Sequence, residues 1–347
     1  MALLWRPLDV LLFRRPKNIF FPLSAWIIMG NHLSEPETTK NTARCQNANY
    51  QVGSSSMQGW RSSMEDAHTH ILSLPDDPDA AFFAVYDGHC GSKTSEYASK
   101  HLHNLIPNRE EYKNGDMGKG IKQAFLEIDR VMLEDESLKN DKSGSTAVAI
   151  IIKNGLLYCA NVGDSRAVAS IGGRAEPLSN DHKPNKEEEM DRIVAGGGWV
   201  DIDTVNGNLA MSRALGDFIF KRNQGQPQQE QIVTAYPEVQ VYEVTPELEF
   251  VVIACDGIWE VMSNKEVVVY VRERIASGVQ PEEICESLMM KCLTPKGSCT
   301  SKGCDNMTVV IVGLLQGGTY EELSSKCART YITESIDEED ISETDDE

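Results

Sequence analysis

The chain has 347 residues, 41% of them apolar, enough for one large domain or two average ones with a sizeable core. Its formal net charge of −20 argues against nucleic acid as a partner, because phosphate backbones select basic faces, and favours cationic partners, metal ions among them. The nine cysteines are odd in number and lack the paired spacing of a secreted disulfide scaffold, so they read as ordinary thiols of a cytoplasmic or nuclear protein.

In chain order, residues 1–28 form an apolar extension in which Leu3–Phe13 and Ile19–Met29 are separated by Arg14, Arg15, Pro16 and Lys17. Neither run reaches the ~18–20 residues that span a bilayer. Met29-Gly30-Asn31-His32-Leu33-Ser34 spells the M-G-x-x-x-S pattern for N-myristoylation at Gly30, usable if Met29 initiates. One such chain gives weak, reversible membrane attachment at most. If Met1 initiates, Gly30 is internal and the extension is an appendage or an organelle address.

Residues 29–48 turn polar and read as a linker, and globular patterning covers residues 49–315. Buried strands are expected at Ala80–Tyr86, Thr146–Ile152, Leu156–Val162, Ala167–Ser170, Phe250–Ala254 and Met307–Leu314, with Leu156–Ser170 reading as a hairpin. Helices are expected at Ser92–Leu105, Gly118–Asp135, Lys186–Ala195, Asn264–Ser277 and Pro281–Cys292. Strands and helices come in groups rather than in strict alternation, which predicts an α+β protein with antiparallel sheets. Residues 324–347 read as an acidic, disordered tail, with nine acids and no base from Glu334 to Glu347.

The aspartates sit where apolar strands end. Ala81–Tyr86 stops at Asp87-Gly88-His89, Phe250–Cys255 stops at Asp256-Gly257, and Asp305-Asn306 precedes another apolar run. Leu156–Val162 runs into Gly163-Asp164-Ser165-Arg166. Each Asp-Gly alone reads as a turn. Several acids beside buried strands, however, repel one another unless cations sit between them, and all-oxygen ligands suit Mg²⁺ or Mn²⁺ better than Zn²⁺. No cysteine has arginine at the C-x₅-R spacing of a cysteine-based phosphatase, and no G-x-x-x-x-G-K-[ST] loop occurs.

Met57-Gln58-Gly59-Trp60-Arg61-Ser62-Ser63-Met64-Glu65-Asp66-Ala67-His68 resembles the opening motif of the type 2C, metal-dependent protein serine/threonine phosphatases. Phe82–His89, Gly144–Ala147, Gly163–Arg166, Ser212–Asp217, Ala254–Trp259 and Asp305–Thr308 resemble the family's later motifs, in family order. The resemblance implies a β-sandwich of two antiparallel sheets flanked by helices (four layers, αββα), with a metal centre in a cleft at one end. It implies a monomer that hydrolyses phosphoserine and phosphothreonine in phosphoprotein substrates, by direct attack of a water activated between two ions, Mg²⁺ or Mn²⁺, with a weaker third.

By the same resemblance, Asp87 bridges both ions, Gly88 offers its carbonyl to one, and Glu65 holds that ion's water shell. Asp256 and Asp305 bind the other ion, and Asp164 supports the third. Arg61 holds the phosphate oxygens, and His89 protonates the leaving alkoxide. On residue types alone, Arg61 could instead pair with Glu65, one helical turn away. Cys90 and Glu260 depart from the family pattern, where a small residue and an aspartate are common. The segment Asp181–Asp217 resembles the flap beside the family's active site, with Trp199 expected to pack it down. The alternatives are a catalytically weak phosphopeptide-binding or scaffold relative, and a metal-dependent hydrolase of small phosphate esters.

Overall fold

The computed structural model describes residues 32–136, 138, 141–295 and 302–329. Gly30 and the segments 1–28 and 330–347 lie outside the described residues. Eleven strands build two antiparallel sheets: β1 His32–Gln46, β2 Tyr50–Arg61, β3 Ala67–Ile71, β4 Ala81–Tyr86, β5 Ala147–Lys153, β6 Leu156–Val162, β7 Arg166–Ile171, β8 Arg174–Pro177, β9 Glu238–Glu243, β10 Leu248–Ala254 and β11 Met307–Leu314. One sheet has the order β1-β2-β11-β10-β7-β8 and the other β9-β6-β5-β4-β3.

Alternation along the strands makes the layers. Ala81, Phe83 and Val85 of β4 meet Val251 and Ile253 of β10 and Val310 and Val312 of β11 between the sheets. Phe82, Ala84 and Tyr86 face the other way, onto α1 (Lys93–Leu105) and α2 (Met117–Glu134). Val252 and Ala254, with Val309 and Ile311, pack under α4 (Asn264–Ala276), α5 (Pro281–Cys292) and α6 (Tyr320–Cys327). The result is the expected four-layer sandwich. Helix α3 (Glu187–Ala195) lies apart in the flap segment, where Ile193, Val205, Leu209, Ala214, Phe220 and Val233 form a small separate core. Trp199 is not what packs this segment: it is 57% exposed.

Four expectations are corrected. Leu156–Ser170 is not a hairpin. Strand β6 already has a partner on each edge, β5 and β9, so β7 joins the other sheet between β8 and β10. Gly163, at φ +102°, turns the chain across, and a Cβ there would come within 2.7 Å of the Thr146 side chain. Most of the expected 29–48 linker is β1, an edge strand with no fully buried residue among those described, which is why its composition is polar and why Pro36 is tolerated. Residues 324–327, expected in the tail, belong instead to α6, which buries Leu323 and Cys327 behind a Thr319/Glu322 capping box. Finally, Cys304 is disulfide-bonded rather than a thiol.

Candidate active site

Both sheets deliver carboxylates to one end of the sandwich. Asp87 follows β4, and its backbone is fixed on both sides: its N–H donates to Thr146 Oγ1 (3.0 Å) and its carbonyl accepts from Thr146 N–H (2.9 Å). Asp256 opens a one-turn helix, Asp256–Trp259, directly after β10. Gly257 brings this turn against the Asp305-Asn306 segment, since a Cβ on it would lie 2.2 Å from the Asn306 carbonyl. Asp164 sits on the sheet crossover, 3% exposed.

Gly88 and His89 pair with Gly144 and Ser145, which pair in turn with Leu215 and Gly216. A side chain at Gly88 would strike the Glu65 carbonyl at 2.2 Å, so this position must present bare backbone. His89 Nε2 bonds Asp217 Oδ2 at 2.7 Å, in space kept clear by Gly144, whose Cβ would meet both atoms within 2.3 Å. Burial works against the imidazolium, but the hydrogen bond and charge of Asp217 outweigh it, and the His89 pKa is raised.

Asn306 organises the other side. Its Nδ2 donates to the carbonyls of Gln58 (2.7 Å) and Ser63 (3.0 Å), and its Oδ1 accepts the Glu65 N–H (2.9 Å). The loop carrying Arg61 and Glu65 is thereby tied to Asp305. Arg61 pairs with Asp305, not with Glu65. Glu65 instead accepts from Ser63 Oγ (2.8 Å) and the Gly91 N–H (3.2 Å).

The electrostatics are those of crowded anions. Burial, then the neighbouring charges of Asp256, Asp66, Asp305 and Asp164, push Asp87 well above the usual carboxylate range. Burial, with Asp164 and Asp305 as the leading charges, does the same to Asp256. Asp66 is pushed up to about 7, chiefly by burial, although its Oδ2 accepts from Thr308 Oγ1 (2.8 Å). Oxygens of Asp66 and Asp87 lie within 4.8 Å of each other and of Cys255 Sγ.

These residues fit hard divalent cations. The donors facing one another are carboxylate oxygens, and Oδ1 of both Asp66 and Asp164 is buried without a hydrogen-bond partner. The one soft atom is already engaged: Cys255 Sγ accepts the Thr308 N–H (3.1 Å) and contacts the Asn306 carbonyl (3.5 Å). Asp87, Asp256, Asp305, Asp66 and Asp164, with the Gly88 carbonyl, could therefore hold ions.

Sequence reasoning singled out Asp87, Gly88, Asp164, Asp256, Asp305, Arg61, Glu65 and His89, and the fold brings them to one end. It gave no role to Asp66, Asn306, Asp217 or Lys183, although each stands inside or beside a motif already noted. Lys183 Nζ bonds Asp164 Oδ2 at 2.5 Å.

A family model, "Protein phosphatase 2C", matches residues 50–300. A "Probable protein phosphatase 2C" of Caenorhabditis elegans is 56% identical over 312 residues, covering 90% of this chain and 88% of that protein. "Protein phosphatase 2C homolog 2" of Hypocrea jecorina is 48% identical over 309 residues, 87% of this chain and 70% of that protein. Among solved structures, a phosphatase from Toxoplasma gondii superposes with a TM-score of 0.68 at 27% identity, over 80% of this chain and 96% of that one. With these relatives, and with acids converging from both sheets as its motifs imply, the chain belongs to the protein phosphatase 2C family.

Proposed function

We propose that the chain hydrolyses phosphoserine and phosphothreonine in proteins with the help of two divalent cations, Mg²⁺ or Mn²⁺, and a weaker third. The observation that carries this reading is the convergence of Asp66, Asp87, Asp256 and Asp305 at one sandwich end, where burial and the charges of the other three push the pKa of Asp87 well above the usual carboxylate range. Asp87 would bridge two ions, the Gly88 carbonyl would serve one, with Glu65 on its water shell, and Asp256 and Asp305 would serve the other. When bound, such ions supply Lewis acidity that lowers the pKa of water and offsets charge on phosphoryl oxygens.

The chain's own groups do the remaining work. Arg61 stands on the loop braced by Asn306, and its tether to Asp305 holds the guanidinium in place before substrate arrives. Paired N–H donors match two non-bridging phosphate oxygens. Asp217 holds the Nε2 edge of His89, which leaves Nδ1, buried and without a partner, to pass a proton to the serine or threonine Oγ as the P–Oγ bond breaks. The water oxygen–phosphorus bond forms as the P–Oγ bond breaks, Oγ gains the proton that His89 gives up, and the proton lost by the attacking water passes to solvent, from which His89 is reprotonated.

The test is hydrolysis of a phosphothreonine peptide as Mg²⁺ or Mn²⁺ is titrated, with EDTA and Asp256→Asn as controls. Both controls should lose more than ~100-fold, the upper end for residues one step removed from a metal. Full turnover in excess EDTA would overturn the reading.

A further inference from the structure

Asp164 already has a cation. Its Oδ2 holds Lys183 Nζ at 2.5 Å, while its Oδ1 is buried with no partner. The backbone puts the lysine there. The His182 N–H donates to the Gly163 carbonyl (2.9 Å), and the Gly163 N–H donates to His182 Nδ1 (3.2 Å), so residues 163 and 182 are stapled together on either side of the pair. A third bond, from the Ser212 N–H to the His182 carbonyl (3.0 Å), pins the same segment from the flap side.

The obvious competitor for the ammonium is removed. Asp181, two residues away, is taken by Arg166 through two bonds of 2.9 and 2.7 Å. Lys183 thus has its hydrogen bond with Asp164, with Asp256 and then Asp181 adding attraction from further off. Its side chain keeps 36% of its surface in solvent, whereas the carboxylate beneath keeps 3%. The ammonium can therefore swing out to water on its flexible stem, and the carboxylate cannot follow.

We propose that Lys183 is a built-in competitor for the third divalent cation: ammonium and metal ion exclude each other at Asp164. This rests on the reading of the site as a divalent-ion centre and deepens it. Oδ1, the oxygen open to an ion, belongs to the same carboxylate whose Oδ2 holds the ammonium, so a divalent ion there would sit a few ångströms from a like charge, with both drawing on a single negative charge. The weakness of the third site then comes from the lysine, which must leave before the ion enters.

The test reads ion binding directly, by electron paramagnetic resonance of free Mn²⁺ during titration of the full chain, so it does not depend on turnover. Lys183→Gln keeps a neutral donor for Asp164, and Lys183→Met keeps only the apolar stem. Each should tighten the weakest Mn²⁺ class by roughly 10-fold, the scale of one hydrogen bond to a charged group. Lys183→Arg should leave that class as weak as in the unaltered protein, and Asp164→Asn should abolish it.

If Lys183→Gln binds the weakest Mn²⁺ no better than the parent, or gains no further ion where the parent shows only two, the competition is refuted. Failure of the underlying reading looks different: the parent chain itself would bind no Mn²⁺ at all. Circular dichroism of each variant separates misfolding from altered binding, and either Lys183→Gln or Lys183→Met suffices.

Discussion

Removing the Glu189 charge should loosen the flap segment by a calculable amount. Glu189, on α3 and 3% exposed, accepts from Arg213 Nε (3.0 Å) and Nη2, Arg192 Nη1 (2.7 Å) and Ser212 Oγ. Arg213 goes on to the Tyr236 carbonyl (3.0 Å) and Arg192 to that of Gln231 (3.3 Å), so one carboxylate ties α3 to two other stretches of chain. Burial alone would raise the Glu189 pKa, but the two guanidinium groups and Ser212 outweigh it and hold it at about 2, against an ordinary 4.5. At about 1.4 kcal/mol per pK unit, the carboxylate contributes about 3 kcal/mol at neutral pH. Because the folded pKa is depressed, that contribution is complete above pH 4.5 and lost as pH falls toward 2. Burial pulls Arg192 the other way, below its ordinary value, yet a guanidinium stays charged, so Glu189→Gln leaves two cations facing each other. If the loss is felt globally, the unfolding temperature at pH 7.5 should drop by on the order of 5–10 °C. If the flap core opens locally instead, amide exchange along α3 should quicken by about 100-fold while the sandwich is unchanged. Calorimetry and hydrogen exchange decide between the two. A variant within about 1 °C of the parent, with unchanged exchange in α3, would refute the argument.

Asp256→Asn should abolish metal-dependent hydrolysis while raising the unfolding temperature in EDTA, because it removes a charge that Asp164, Asp305 and burial all oppose; calorimetry and the peptide assay check the two halves. The parent chain in EDTA should lose stability as pH rises from 3.8 to about 7: Asp66 is raised to about 7 when folded, against 3.8 when unfolded, so its favourable contribution is complete below 3.8 and lost as pH rises through about 7, and added Mg²⁺ should flatten that slope in thermal scans. His89→Ala should slow a phosphoserine peptide on the order of 10²–10⁴-fold and p-nitrophenyl phosphate far less, since nitrophenolate leaves without a proton; equal losses in parallel kinetics would reduce His89 to a structural role.

The parts of the fold that sequence made legible are those buried on both faces. Strands β4, β10 and β11 are continuous apolar runs because helices cover one side and the opposite sheet the other. Strand β2 lies just as deep, yet it reads Gly53-Ser54-Ser55-Ser56, because α5 comes so close that a Cβ on Gly53 would sit 2.0 Å from the Glu282 backbone nitrogen. Small residues demanded by a helix carry no hydrophobic signal, so a core strand stays hidden. Strand β1 hides for the opposite reason, as an edge whose residues remain partly in water. Helix α6 was readable from its Thr319-Tyr320-Glu321-Glu322 capping box, but the acidic residues beyond drew it into the expected tail.

The site divides along the same line, between what a residue's neighbours in sequence determine and what only the fold determines. Asp87, Asp256 and Asp305 announce themselves by standing where apolar runs begin or end. Asn306 does not, because its bonds reach Gln58, Ser63 and Glu65, more than 240 residues earlier in the chain. Lys183 reaches Asp164 at the crossover after Gly163, where β6 and β7 part into different sheets. The misread hairpin and the overlooked lysine are therefore one omission. A carboxylate buried at a sheet crossover must be neutralised, and asking which cation does so at position 164 leads to Lys183 before any metal ion is invoked.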